Sequence, residues 1–282
     1  MLSLLVGMAM FQSQGLPVPP PMTKRTIMPP AVAPAGKQIK LYGDDKYVLF
    51  VPDAWKPVSH TGITLHFHGA IWFAIDEHLR RGLKEPLIAV YVGEGSTVYR
   101  NAFEDPAAWT RLLAVASAEL GASINRVDVT SFSAGYGAVR ELLQQPDPFR
   151  LIRRVVLADS MYASFTSDAD HTPLKTQIDP YVAFAEAAVR GEKDFVVTFS
   201  QVPTEAYANS AACAAALVAR VGGSLVPVEK GSLPATQDEH FPLLSRFDQG
   251  NFHVWGYGGV DAQAHMTHPR HIADVWKAVF SD

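Results

Sequence analysis

The segment Thr130-Ser131-Phe132-Ser133-Ala134-Gly135-Tyr136-Gly137 constrains the fold of this chain more than any other. An alternating apolar pattern from Arg126 to Thr130, with Val127 and Val129, predicts a strand. It breaks into small residues around one serine and resumes as a helical pattern from Ala138 to Gln145, with Val139, Leu142 and Leu143 on one face. A strand that turns so sharply into a helix pushes its central residue out of the backbone and tolerates only small residues two positions to either side. Ser131 and Gly135 meet that demand. The spacing is that of the G-x-S-x-G turn, in which the serine hydroxyl stands exposed and the next backbone N–H faces a developing oxyanion. Ser133 is therefore the candidate nucleophile and Ala134 the residue whose N–H follows it. Ser131 occupies a position where glycine is usual, and its Cβ adds crowding to the turn.

Three further segments end in chemically useful residues. Ile63-Thr64-Leu65-His66-Phe67-His68-Gly69-Ala70 reads as a buried strand running into a histidine-glycine turn, where glycine lets the backbone approach a ligand closely. The side chains of His66 and His68 are read as structural, holding neighbouring loops by hydrogen bonds. Val155-Val156-Leu157-Ala158-Asp159-Ser160 is an apolar run ending in a carboxylate, as expected of a parallel strand buried on both faces. Phe252 to Tyr257 is followed by a glycine-rich loop and by Asp261 to His268. A terminal helix is predicted from Pro269 to Phe280, with Ile272, Val275, Trp276 and Val279 at helical spacing, Thr267 as its N-cap and Pro269 in its first turn. His265, just ahead of that helix, is the candidate base; His268 and His271 are assigned to the helix or its cap.

Ser133, Asp159 and His265 follow in that order, each at or just beyond the end of an expected strand. With this ordered set the chain resembles the α/β-hydrolase family from about Lys37 to the C-terminus, since that fold uses the order serine, acid, histidine. The resemblance implies an α/β fold, an open, mostly parallel sheet with helices on both faces, a short lid, and a site on the loops at the sheet's carboxyl edge. It implies Ser133 as nucleophile, His265 as base and Asp159 as acid, with an oxyanion hole from the backbone N–H groups of Ala134 and Ala70, Ile71 being the neighbouring choice for the second. The implied activity is hydrolysis of a small carboxylic ester through an acyl-enzyme, with thioester and peptide cleavage staying open, and with no cofactor and no metal. The acid has alternatives: the family more often places it after the seventh strand, here Asp194 to Ser200, where Glu205 is the nearby carboxylate, and Asp261 ranks third. Glu205 is equally placed to sit in the first turn of a helix running from about Tyr207 to Val221, where it would favour the helix dipole. Two other classes stay open, a metal-dependent hydrolase built on His66, His68, His265, His268 and His271, and a catalytically silent member that binds a ligand in the same cleft.

Alternation of strand and helix patterns continues through the rest, with strands expected within 37–51, 62–68 and 86–92 and a helix over 106–121. Met161 to Lys193 is read as the lid, with an amphipathic helix near Tyr181 to Arg190. Leu243 to Phe247 and Phe252 to Tyr257 are read as a hairpin. Trp72, Phe73, Phe132, Tyr136 and Tyr162 suggest an apolar or aromatic pocket, with core packing the equal alternative for each of them. The 282 residues, 48% of them hydrophobic, suffice for one large core. A net charge of −4 without a lysine-arginine cluster argues against a nucleic-acid or anionic-membrane partner. Cys213 is the sole cysteine, so no intrachain disulfide forms. Residues 1–36 are read as a leader: an apolar run from Met1 to Phe11, too short to span a bilayer but fit for a signal-peptide core, then a proline-rich linker from Leu16 to Pro34. The run lacks a positive flank; export to the periplasm or medium is favoured over a cytoplasmic location, with no integral membrane segment in the mature chain.

Overall fold

A computed structural model describes residues 17–19, 22–25, 27–167, 169–229 and 237–280. In chain order the elements are β1 (Gly36–Lys40), β2 (Tyr47–Pro52), β3 (His60–Phe67), α1 (Ile71–Arg80), β4 (Leu87–Val90), α2 (Ser96–Phe103), α3 (Pro106–Leu120), β5 (Ser123–Phe132), α4 (Tyr136–Gln144), α5 (Pro146–Leu151), β6 (Ile152–Ala158), α6 (Lys175–Val189), β7 (Asp194–Phe199), α7 (Ser210–Arg220), β8 (Val226–Pro227), β9 (Leu243–Gln249), β10 (Phe252–Tyr257), α8 (Ala262–Thr267) and α9 (Ile272–Val279). They build one open sheet in the order β1-β2-β4-β3-β5-β6-β7-β10-β9-β8. The central strands β4-β3-β5-β6-β7-β10 are parallel, and the outer strands on both sides pair antiparallel.

Because side chains alternate along a strand, each central strand feeds two cores. Ile63, Leu65 and Phe67 of β3, Val127 and Val129 of β5, and Phe195 and Val197 of β7 face one core, covered by α2, α3, α4, α6 and α7. Val156, Val196 and Trp255 face the other, under α9 with Val275 and Trp276. Helix ends follow local chemistry. Asp105 caps α3 by accepting from Ala107 N at 2.9 Å, with Pro106 at its first position, and Asn209 caps α7 by accepting from Ala212 N at 2.9 Å. The expected hairpin is β9-β10, turning through Gly250 and Asn251. Helix α6 packs against α4, α7 and the sheet, and of the segment read as a lid the stretch Tyr162 to Ser164 and Gln177 at the start of α6 overlook the carboxyl edge.

Several elements depart from the sequence reading. Helices α1 and α2, which follow β3 and β4, and the short elements α5 and β8 had no counterpart in it. The terminal helix begins at Ile272 and not at Pro269: a 3-10 turn spans His268–His271, and His265, expected in a loop, lies in the short helix α8. Pro269 has no N–H to offer the carbonyl of His265, so the ladder of α8 cannot run through it. Thr267 consequently caps nothing at an N-terminus; its hydroxyl donates back to Gln263 O at 2.8 Å, and Asp261 caps α8 instead, accepting from Ala264 N at 2.9 Å.

The leader run from Met1 to Phe11 lies outside the described residues. Within the proline-rich stretch, Met22 and Arg25 are docked on the domain, while Met28 and Val32 are exposed. Met22, 2% exposed, packs with Phe241, Tyr257 and Trp276, and its carbonyl accepts from Gln237 N at 2.8 Å. Arg25 pairs with Asp76 at 2.9 Å and with Glu77. Glu77 is 1% exposed, and a buried carboxylate is costly unless paired; Arg25, Arg80 at 2.7 Å and Ala273 N at 2.9 Å supply its partners. Among the described residues no helix is long and apolar enough to cross a membrane.

The interior also holds histidines kept neutral by burial. His66 donates from Nε2 to His68 O at 2.9 Å and so accepts from the Thr130 hydroxyl at Nδ1, 2.8 Å away. Burial, with the Arg81 charge nearby, lowers His66 and His78 each to about 3, and burial lowers His268 to about 4. An unfolded chain takes up these protons near pH 6.5, so between that value and about 4 the unfolded state binds more protons than the folded one. Stability is full above the window and falls as pH drops through it, by about 2 kcal/mol per histidine at pH 5. Thermal unfolding followed by circular dichroism is expected to show a melting temperature well below its neutral value at pH 5; an unchanged melting temperature would refute the neutral burial of these rings.

Candidate active site

Strand β5 ends at Phe132, and Ser133 opens a 3-10 turn, Ser133–Gly135, that leads into α4. Ser133 has φ of 45°, a strained value for a non-glycine residue that points its hydroxyl off the end of the strand. Gly135 cannot be replaced cheaply: a Cβ there would stand 2.4 Å from Phe67 O and 2.6 Å from Ser131 Oγ. The parallel registers then fix what surrounds the serine. Phe67 lies opposite Ser131, which sets His68-Gly69-Ala70 beside the turn, and Phe132 lies opposite Ala158, which sets Asp159 there.

Ser131, the residue that departs from the glycine pattern, is fully buried and has a use for its hydroxyl. Ser160 Oγ donates to Ser133 O at 2.9 Å, so at its 2.7 Å contact with Ser131 Oγ it accepts. The two hydroxyls thus tie the turn to the end of β6. Ser131→Ala is expected to keep turnover within about tenfold and to lower stability by about 1 kcal/mol, the worth of one buried hydrogen bond. Denaturant midpoints read beside turnover of the same samples check this.

His265, on α8, stands between the other two residues. Its Nδ1 is 2.7 Å from Asp159 Oδ2 and its Nε2 is 3.0 Å from Ser133 Oγ. A carboxylate only accepts, so Nδ1 carries the ring proton and Nε2 presents a lone pair to the serine hydroxyl. Phe132 packs on the ring at 4.7 Å between centroids. Asp159 is fully buried with φ of 47°. Its Oδ1 accepts from Ser200 N at 3.0 Å and from the Ser210 hydroxyl, and its Oδ2 accepts from Ser200 Oγ at 2.7 Å as well as from His265. Burial opposes the charge, but the neighbouring His268 and His265 and the bond from Ser210 outweigh it and hold the carboxyl well below the ordinary carboxylate range. Ser200 and Ser210 were not singled out from the sequence; the position of Ser200 just beyond β7, level with the carboxylate after β6, was the signal for it.

The other candidates are dispersed. Glu205 is exposed in the loop before α7, which begins only at Ser210, so it neither meets the ring nor favours a helix dipole. Asp261 is taken up by the cap of α8. The N–H groups of Ala134, in the 3-10 turn, and of Ala70, immediately before α1, belong to helix starts and have no partner within their own helices. The histidines of the metal reading do not converge. His68 Nδ1 meets Tyr99 Oη at 3.1 Å, His268 Nδ1 meets Thr198 Oγ1 at 2.9 Å, and His271 lies between Asp238 and Asp274. Among the described residues no group of three or more His, Cys, Asp or Glu side chains is arranged to hold a metal.

A cleft of about 650 Å³ opens over Ser133 and His265. Tyr136 and Tyr162 line it as expected, but Trp72, Phe73 and Phe132 do not. Trp72 and Phe73 belong to α1, which packs on β2 and β4 and on α9, and Phe132 faces His265. Tyr207 joins the two tyrosines, and Glu94, Arg100, Arg140 and Gln177 stand among smaller residues, so the cleft is more polar than an aromatic pocket.

A serine at positive φ on a strand-to-helix turn, at the carboxyl end of a central parallel strand with helices on both faces, decides the architecture. The chain has the α/β-hydrolase fold. No protein-family model and no curated protein matches the sequence. Among solved structures, a poly(3-hydroxybutyrate) depolymerase from Bordetella parapertussis is 14% identical, with 85% of this chain and 88% of that one covered at a TM-score of 0.47. An acetyl xylan esterase from Aspergillus awamori is 13% identical over 79% of this chain and 92% of its own, at 0.42. A carboxylesterase from Bacillus subtilis is 9% identical over 88% and 92%, also at 0.42. Likeness at this distance says nothing of what the present α/β-hydrolase fold acts on; its topology and its turn stand on their own.

Proposed function

We propose that this protein is a serine hydrolase that cleaves a small carboxylic ester through an acyl-enzyme. The observation that carries the reading is the unbroken hydrogen-bonded line from Asp159 through His265 to Ser133 at the floor of an open cleft. As the substrate carbonyl is attacked, the proton of Ser133 Oγ passes to His265 Nε2 and a new C–O bond forms to Oγ. Asp159, held ionised by its neighbours, stabilises the imidazolium and keeps the remaining proton on Nδ1. The N–H groups of Ala134 and Ala70 receive the oxyanion, a contribution of about 3 kcal/mol per donor in comparable sites. Collapse of the tetrahedral adduct breaks the ester C–O bond, and the leaving alkoxide takes the proton from His265. Water, deprotonated by the same nitrogen, then releases the acid.

A fluorophosphonate probe tests this directly. Covalent capture at Ser133, located by mass spectrometry of the labelled peptide, together with chelator-insensitive turnover of p-nitrophenyl esters, is the expected result. A protein that neither reacts with the probe nor turns over esters is a binding module on the same fold, and turnover abolished by chelator belongs to a metal enzyme.

A further inference from the structure

The cleft carries more positive charge than its own residues neutralise. Arg140 lies on α4 one turn beyond Tyr136, its guanidinium carbon 5.5 Å from the centre of the Tyr136 ring, and Arg100 on α2 lines the same cleft. Among the described residues neither arginine forms an ion pair with a carboxylate, although Arg25, Arg80, Arg126, Arg154, Arg190 and Arg246 all do. Arg140 Nη1 is shielded from solvent and has no hydrogen-bond partner. Among the described residues the one carboxylate lining the cleft, Glu94, is bonded to Tyr91 Oη. Glu141 feels the charge of both arginines, but its own bond is with Gln144 Nε2, at 3.4 Å.

A purely structural role fits Arg140 poorly. Stacking on an aromatic ring contributes about 0.5–1 kcal/mol at a partly exposed site, and it leaves the buried Nη1 without an acceptor, a loss of about the same size or larger. As the side chain lies, Nη1 is closed to the cleft, so a carboxylate engages the fork with a turn of the guanidinium off the ring, after which its two oxygens match the planar pair of nitrogens. From Ser133 to Arg140 the chain advances about 10 Å along the turn and helix. We propose that the cleft selects esters carrying a carboxylate on the order of 10 Å from the scissile carbonyl, with Arg140 as the main recognition group and Arg100 adding charge at its side. This rests on the serine-hydrolase reading above and names the substrate class of that same site.

The test compares two p-nitrophenyl esters of equal length, the monoester of octanedioic acid and the ester of octanoic acid, in wild type, Arg140→Met, Arg140→Lys and Arg100→Met. In wild type the acid-terminated ester is expected to have the higher kcat/KM. In Arg140→Met the ratio of the two kcat/KM values falls by about 10- to 100-fold, the usual worth of a hydrogen bond to a charged group, and the change is carried by KM. Arg140→Lys restores part of the ratio, and Arg100→Met lowers it less than Arg140→Met does. A wild-type enzyme with no preference, or an Arg140→Met variant in which both esters change alike, overturns the proposal while leaving the hydrolase reading intact. Failure of both esters together with failure of fluorophosphonate capture overturns both.

Discussion

Ser133→Ala is expected to lower ester turnover by about 10⁶-fold, and His265→Ala by about the same factor, with the double variant no worse than either alone. The non-additivity follows from the geometry. A serine hydroxyl is a poor nucleophile unless its proton has somewhere to go, and among the described residues the acceptor aligned with it is His265 Nε2 at 3.0 Å. Removing the ring or the hydroxyl therefore removes the same step. Neither substitution should disturb the fold, because both side chains border the cleft and neither is part of the buried core. His268→Ala serves as the contrast. That ring is 1% exposed and bonded to Thr198, so its loss is expected to lower the melting temperature while costing far less turnover than His265→Ala. Single-turnover rates on a p-nitrophenyl ester, with a melting curve for each variant, separate the two effects. A His268→Ala enzyme as dead as Ser133→Ala, beside an active His265→Ala, would transfer the role of base to the second ring.

What was legible in the sequence was legible through strand ends. Asp159 is marked by the point where the apolar run of a strand buried on both faces stops, and Ser133 by the point where an alternating strand pattern breaks into small residues; parallel register then sets the two strand ends side by side. The contact with His265 depends on a turn that periodicity misjudges: the terminal apolar pattern starts a helix at Pro269 and leaves His265 in the loop ahead of it, whereas His265 lies in a short helix of its own, capped by Asp261, and a 3-10 turn holding Pro269 separates it from α9. Helices α1 and α2 were missed because their patterns overlap strongly apolar or glycine-flanked loop sequences, and no side-chain cap marks the start of either. The polar lining of the cleft was hidden for a different reason. Arg100 and Arg140 sit on separate helices forty residues apart, and only the packing of α2 against α4 brings them to one cavity. The docking of Met22 and Arg25 was equally unreadable, since proline-rich composition predicts an extended chain without saying what it lies against.

Asp159→Asn is expected to lower kcat by about 10⁴-fold with little loss of fold, and the hydrogen bonds around the carboxylate give the reason. Four donors converge on Asp159. Ser200 N–H and the Ser210 hydroxyl meet Oδ1, while the Ser200 hydroxyl and His265 Nδ1–H meet Oδ2. A backbone N–H cannot become an acceptor, so an asparagine must keep its carbonyl oxygen at the Oδ1 position and place its amide nitrogen where Oδ2 was. The Ser200 hydroxyl can rotate and accept from that nitrogen. His265 can accept only by giving up the proton on Nδ1, which moves it to Nε2, the nitrogen that has to receive the proton of Ser133. The variant therefore keeps the shape of the site and holds the base in its inactive tautomer. Glu205→Gln, in an exposed loop away from the ring, is expected to stay within about twofold of wild type, as surface substitutions generally do. An Asp159→Asn enzyme within tenfold of wild type, or a Glu205→Gln enzyme that loses several orders of magnitude, would move the acid from the end of β6 to the loop after β7, and would do so without touching the bond between His265 and Ser133.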